Sequence, residues 1–416
     1  MRVVQELSDA LQRETQPLAR ARLELRLAVI AARQGRFDDS LATVARVRAG
    51  LAAAAAADAE TTAWLSLVEG LVALHQAPDA ASTDRLTRAV VLARLAPGTQ
   101  VQALATAWLA HLHFNQGRLA EFAALARAAL DLSASGVAPA VGATPAAASA
   151  PVAAGVAAPG WPAVQARVLL TVASAWMSAG MPARAQPWFF AAREAAAAEG
   201  DSLMVGAVLH DMAAFRVHAL RIEWARHAVG RRETAPSAED DLARVLLDSA
   251  HSYEQAVHAG ALAPLQPLAR IALQVVRGEH EAALELAART LPQLVEAGLC
   301  RYDALLRADR LWCTLASGRR ADAAAHSAES ADILARLVQH TPDPDDRLIV
   351  HATLAQAWRA AGQAQAAAHH AACAASEDDR LRRAQAELGA RLQENRLVQP
   401  PAGGTRGPQP GAPAGD

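Results

Sequence analysis

Residues 161–200, WPAVQARVLLTVASAWMSAGMPARAQPWFFAAREAAAAEG, restrict the fold more than any other stretch of the chain. Leu169, Val172, Ala173 and Trp176 recur at offsets of three and four residues, as do Ala185, Phe189 and Ala192. Those offsets put side chains on one face of an α-helix. Gly180-Met181-Pro182 lies between the two runs, and a short Gly/Pro connection turns two helices back on each other. The stretch therefore predicts an antiparallel helical hairpin.

Composition extends that expectation to the whole chain. About a quarter of the 416 residues are alanine and 4% are aromatic. Alanine is the best helix former, and aromatics supply much of the buried area of a thick core. Thin two-helix layers packed through small residues are expected, in an all-α protein.

Hairpins recur in order. Residues 17–50 carry Leu23, Leu27, Ile30 and Ala31, a turn at Gln34-Gly35-Arg36-Phe37, then Leu41, Val44 and Val47. Residues 51–95 turn near Gln76-Ala77-Pro78-Asp79, with Trp64, Leu67, Leu71 and Leu74 before it. Residues 99–132 turn at Asn115-Gln116-Gly117-Arg118, between Trp108 and Phe122. Further hairpins are expected at 265–298, 300–338 and 343–376, turning at Gly278, Gly318 and Gly362.

These patterns resemble the tetratricopeptide repeat (TPR). Its first helix carries a large residue, a small pair and an aromatic, and its second carries Ala-x3-Phe. Leu169-x2-Val172-Ala173-x2-Trp176 with Ala185-x3-Phe189 is one copy. His351-x2-Leu354-Ala355-x2-Trp358 with Ala367-x3-Ala371 is another. Turn spacings of 43, 39, 40 and 44 residues are longer than the usual repeat and nearer HEAT-type spacing. The resemblance implies an α-α superhelix, a TPR-like solenoid of antiparallel helical hairpins.

Four segments are expected. Residues 1–133 form the N-terminal hairpins. Residues 134–160 hold Ala, Pro, Gly, Val and a few Ser/Thr, with prolines at 139, 145, 151 and 159, and read as a flexible linker or insertion. Residues 161–398 form a C-terminal array, irregular over 201–259 and closed by a charged capping helix from 377. Residues 399–416 form a disordered Pro/Gly tail.

Charge bounds the function. Forty basic residues, every one arginine, oppose 42 acidic ones for a formal net charge of −2. An all-arginine set fits the codon bias of a high-GC bacterial-type genome. A balance so near neutral gives no footprint for nucleic-acid binding. Cys300, Cys313 and Cys373 are odd in number and lack C-x-x-C spacing, which fits a reducing compartment. The N-terminus lacks a signal peptide's apolar centre, and no charge-free apolar run has spanning length. A cytoplasmic protein without membrane contact is expected.

No histidine pair has metal-ligand spacing: His280-Glu281 begins H-E-x-x-H, but Leu284 takes the second ligand position. No nucleophile elbow, phosphate loop or dinucleotide fingerprint occurs. The acidic run at 343–346 suits a helix N-cap as well as a cation. Neither a cofactor nor catalysis is expected. A site assembled from distant residues would be sought at 201–259, around His210, Asp211 and His218.

In TPR arrays the first helices line a concave groove where peptides bind. Carried onto this chain, the resemblance implies groove positions at Arg22, Arg33, His111, Asn115, Arg167, Ser174, Gln356 and Arg359. The forked guanidiniums of Arg20, Arg22, Arg26 and Arg33 suit an acidic ligand; a solvated helix face accounts for them too. The family's lysine/asparagine carboxylate clamp has no counterpart. The expectation is a non-enzymatic scaffold for a protein or peptide partner. The alternative is a ligand- or peptide-sensing regulatory arm acting on a separate signalling or transcription protein. The oligomeric state stays open.

Overall fold

The computed structural model describes residues 1–53, 58–76, 80–96, 99–135, 161–231, 240–257, 265–296, 299–319, 323–340 and 343–401. The expected turn at 77–79 and nearly all of the segments at 134–160 and 399–416 lie outside these. Among the described residues the chain is helical, with one 3-10 turn at Cys300–Tyr302 and no strand. The helices are α1 (Arg2–Arg13), α2 (Pro17–Arg33), α3 (Phe37–Ala53), α4 (Ala59–Gln76), α5 (Ala80–Ala93), α6 (Gln100–Asn115), α7 (Leu119–Ser135), α8 (Pro162–Ser178) and α9 (Pro182–Glu199). They continue as α10 (Ser202–Ala228), α11 (Asp240–Val257), α12 (Gln266–Val276), α13 (His280–Glu296), α14 (Asp303–Ala316), α15 (Ala323–His340), α16 (Pro344–Ala360) and α17 (Ala364–Glu394).

The turns share one chemistry. After α2, α6 and α16 a glycine sits at positive φ: Gly35 at 80°, Gly117 at 68° and Gly362 at 74°. The next amide then bonds back to the carbonyl five residues earlier: Arg36 to Ala31, Arg118 to His113 and Gln363 to Trp358. Glycine adopts this left-handed conformation without the penalty a Cβ brings, so the closing bonds satisfy helix-end carbonyls.

The chain divides into two compact units. Unit 1 comprises Met1–Met177, Met181–Val205 and Ala390–Asp416; unit 2 comprises Ser178–Gly180 and Gly206–Gly389. Helices α8 and α9, expected to open the C-terminal array, cluster with the N-terminal hairpins. The chain passes between units around Ser178–Gly180 and inside α10 and α17.

In unit 1 α2 packs on α3 and α4, and α4 on α5 and α6. First helices thus stack on first helices, as small residues allow. A Cβ added at Gly70 of α4 would stand 2.8 Å from Leu86 of α5, so glycine sets their close approach. Helices α4, α6 and α8 are buried round most of their circumference, not along a single stripe. The amphipathic α1 differs: Val3, Leu7 and Ala10 are buried and its other positions are at least partly accessible. Trp176 donates from Nε1 to the Leu397 carbonyl at 2.8 Å, which ties residues 390–401 into this unit.

In unit 2 α14 packs against α12, α13, α15 and α16. A cluster of Leu311, Leu315, Ile333, Leu337, Leu354 and Trp358 fills the α14/α15/α16 layer. The region expected to be irregular opens with α10, a 27-residue helix. Its one glycine is Gly206, where an added Cβ would stand 3.6 Å from the Tyr253 ring. Among the described residues α10 alone is long and apolar enough to cross a membrane. Its His210, His218 and Arg221 are paired with Glu254, Asp345 and Asp309, all within unit 2. The expected capping helix is the continuation of α17. Its first positions are not a polar outer face: Glu377 and Asp378 are buried, paired with Arg347, Arg226 and Arg231.

Candidate binding cavity

The inner faces of α2, α4, α6 and α8 in unit 1 converge on a cavity of about 50 Å³. Helix α2 contributes Arg26, Val29, Ile30 and Arg33; α4 and α6 add Trp64, Leu104 and Trp108; α8 adds Arg167. Glu199 ends α9, and Asp201 and Met204 begin α10. Val3 and Leu7 of α1 close one side. Arg26 and Arg33 are seven residues apart, two helical turns, so they share a face of α2.

The charges are arranged in steps. Asp201 caps α10 by accepting the Met204 amide at 3.0 Å. It also accepts both terminal nitrogens of Arg33, at 2.5 and 3.3 Å. Burial alone would raise the Asp201 pKa, but the Arg33 guanidinium and the amide bond outweigh it and hold the carboxyl below its ordinary value. The Arg167 guanidinium lies 3.9 Å from the centre of the Trp108 ring, a cation–π contact. Arg26 has neither a hydrogen bond nor an ion pair within 4.0 Å among the described residues. Burial lowers its pKa, and its charged neighbour Glu199 opposes that. Burial raises the Glu199 pKa, with Asp201 adding to the rise and Arg26 resisting it.

Behind the cavity runs a chain of rings. Phe37 stacks on His75 at 6.1 Å; His75 and His111 each meet Trp108 edge-on, at 6.0 and 5.7 Å. Part of the His75 surface reaches solvent. Crowding by protein atoms nonetheless lowers its pKa to about 4, helped by the charges of Arg167 and Arg33. Burial, with Arg167, holds His111 well below its ordinary value. Both rings are neutral at pH 7.

The eight expected groove residues fall into four groups. Arg33 and Arg167 line the cavity. His111 and Asn115 stand behind Trp108, joined by a 3.2 Å hydrogen bond. Arg22 serves the α2/α4 contact, pairing with Asp58 and Glu60 at 2.8 Å each, and Ser174 donates to the Leu170 carbonyl of its own helix. Gln356 and Arg359 belong to unit 2, where both donate to the Ala228 carbonyl at the end of α10. Glu199, Asp201, Trp64 and Trp108 join the site unannounced, the acidic pair because it comes from a junction far along the chain.

Unit 2 holds other polar clusters. His218 bonds Asp345 at 2.8 Å, and with Asp346 its donor atoms lie within 4.8 Å of one another. That donor set suits a divalent cation, but Arg301 already pairs with one of its carboxylates, 3.3 Å from Asp346, and lies 2.9 Å from Asp343. Burial and the adjoining Asp345 push the Asp346 carboxyl up to about 6. Burial pushes the Cys313 thiol up to about 12, which removes its nucleophilic thiolate at neutral pH. A second cavity, about 170 Å³, is lined by His210, Leu247, His251, Gln266 and Arg270 among others.

Known proteins with this architecture exist. Seven solved chains match it, among them a Rap protein complexed with competence and sporulation factor. That likeness has a TM-score of 0.54 and 13% identity, over 93% of this chain and 92% of that one. The fold is a TPR-like helical repeat. No family model matches the chain, and no curated protein sequence does. At 13% identity the likeness establishes the all-α superhelical architecture and leaves the ligand to be argued from the residues.

Proposed function

We propose that the chain is a non-enzymatic, cytoplasmic binding protein that receives a protein or peptide partner on the inner face of unit 1. The observation carrying this reading is the meeting of three arginines and two tryptophans from four stacked first helices at one cavity. Tryptophan and arginine are the residues that most often dominate binding energy at interfaces. The solved Rap protein of the same fold is in complex with competence and sporulation factor, and that precedent supports a binding role for the fold.

Selection from a displayed random-peptide library on the full chain tests the reading. Selected peptides should bind with micromolar or better Kd and lose at least tenfold in Ala163→Leu. Ala163 lines the cavity and is only partly buried, so leucine there obstructs the opening while the stacked helices keep their contacts. Peptides that bind Ala163→Leu as well as wild type, or a library that yields none, would refute the proposed site.

The second reading, a ligand-sensing arm acting on a separate protein, draws on the partial enclosure of the same cavity. A thermal-shift screen against small metabolites discriminates: a saturable response to a small molecule, with no peptide selected, favours the sensor.

A further inference from the structure

We propose that α1 is the built-in occupant of a helix-binding seat on unit 1, and that an amphipathic helix of the partner takes its place. The proposal deepens the binding reading above and rests on the same cavity. Helix α1 is held differently from its neighbours. Helices α4, α6 and α8 are buried round most of their circumference, whereas α1 buries one stripe, Val3, Leu7 and Ala10. Among the described residues two hydrogen bonds join α1 to other helices. Arg2 donates to the Ala198 carbonyl of α9, and Arg20 of α2 donates to the Leu11 carbonyl at 3.1 Å. The ion pair of Arg2 with Glu6 lies within α1 and is exposed.

The seat, not the sequence of α1, keeps it helical. A helix of 12 residues is marginal in water when isolated. Helix α1 also lacks a side-chain N-cap bond and an acidic residue in its first turn. Glu14 and Gln16 are extended, and Pro17 opens α2. The residue before a proline is kept out of the helical region, so α1 and α2 stay separate and the link between them serves as a hinge. The surface receiving α1 is shaped for it. An added Cβ at Gly200 would stand 2.7 Å from Arg2, so glycine there lets α1 approach the junction of α9 and α10.

The seat opens onto the cavity, because Val3 and Leu7 form one of its walls beside Val29 and Ile30 of α2. The stripe of α1 specifies what replaces it: apolar residues at i, i+4 and i+7, the anchor pattern of a helix laid in a groove, with the last one small. Such a partner must outcompete a tethered rival. The short link holds α1 at an effective concentration of about 1 mM. With a Kd on the order of 100 μM for the detached helix, α1 is docked roughly nine-tenths of the time. A partner prevails by reaching past the stripe into the cavity, which α1 walls but does not fill.

A labelled synthetic peptide spanning residues 2–13 tests the seat by fluorescence anisotropy on the full chain. Leu7→Asp in the chain unseats its own α1. The peptide should bind that variant with a Kd on the order of 100 μM and wild type about tenfold more weakly. A peptide that itself carries Leu7→Asp should bind neither. Should the Leu7→Asp chain fail to fold, Leu7→Ala, which adds no charge, replaces it. Peptide bound equally by variant and wild type, or by neither, overturns the proposal.

Hydrogen exchange on wild type tests the replacement. Library-selected peptides should speed exchange of the α1 amides several-fold and leave those of α4 unchanged. A selected peptide that leaves α1 as protected as before overturns this proposal, and the peptide reading stands. Capture of the α1 peptide by Leu7→Asp, with no library peptide selected, upholds the seat and refutes the peptide reading.

Discussion

Both units lay an arginine closely over a tryptophan. In unit 1 Arg167 lies 3.9 Å from the Trp108 ring centre; in unit 2 Arg221 lies 4.1 Å from that of Trp224. Arg221 is 1% exposed, ion-paired to Asp309, and bonded to Thr353 at 2.9 Å. Its charge is spent inside a closed core. Arg167 borders a cavity that also holds Arg26, Arg33, Glu199 and Asp201. Similar stacking thus serves two ends: where the guanidinium is buried against its own carboxylate, the arginine holds helices together. Where the arginine borders a cavity, the same geometry leaves room for a partner to enter.

The sharpest way to break this contrast is at Asp309. Burial drives Arg221 down and Asp309 up, each toward its neutral form, against the attraction between them. Asp309→Leu leaves a buried, unpaired guanidinium and should cost about 3–5 kcal/mol in urea unfolding. The double variant Arg221→Met/Asp309→Leu should recover most of that loss, because an apolar pair avoids the desolvation cost. If the double variant is as unstable as the single one, the arginine of unit 2 does more than cancel a charge.

The next effect is one of pH. His351 and His370 in unit 2 touch through Nδ1 at 3.2 Å, and burial first, then neighbouring positive charge, holds each at about 4. A folded pKa below the unfolded value of 6.5 means that the unfolded chain takes up the proton first. Stability is therefore complete above pH 6.5 and declines as pH falls toward 4, on the order of 3 kcal/mol for one such histidine. Unfolding midpoints of wild type and His351→Gln at pH 7, 5.5 and 4 check this. The variant should show the shallower decline.

A smaller loss is expected in unit 1. Asp201→Asn weakens the Arg33 pair and the α10 cap together, at about 1–3 kcal/mol. It should cost less than Asp309→Leu, because Arg33 keeps 12% of its side-chain surface accessible and can be rehydrated. The Asp201 pKa lies below its ordinary 3.8, so this contribution is present above pH 3.8 and fades only under more acid conditions. Equal losses at Asp201 and Asp309 would erase the distinction between a receptive and a sealed interior.

The smallest effect should not differ between units. Gly117 and Gly362 both sit at positive φ, and an added Cβ would meet nothing within 4 Å at either. Alanine should therefore cost about 1–2 kcal/mol at each, from backbone strain alone. Unequal losses in denaturant titrations would mean that the turns are not equivalent.

The hairpins were legible because helix periodicity and turn glycines are local: Gly35, Gly117, Gly180, Gly278, Gly318 and Gly362 all take the positive φ their contexts imply. The extent of burial was not. Helix α6 buries His113 and Thr106 as well as its apolar stripe, because neighbours cover it on several sides, and one sequence records only its own residues. Arg33 and Arg167 were reachable by counting from turns. Their meeting with Asp201 was not, since 168 residues separate Arg33 from that carboxylate and nothing between them marks the encounter. At 201–228 the uneven spacing of apolar residues hid a single long helix whose polar positions are satisfied by distant partners.

The bond from Trp176 to Leu397 has a consequence for synthesis. The first unit is interrupted by nearly the whole of the second and is completed by residues 390–401. On the ribosome, its early hairpins must wait on the order of tens of seconds for those residues to be made. During that interval Trp176 lacks its acceptor, and the apolar surface due to be covered by the returning strand of chain stays open to chaperones or to misassociation. A fragment ending near residue 205 would be held permanently at that stage.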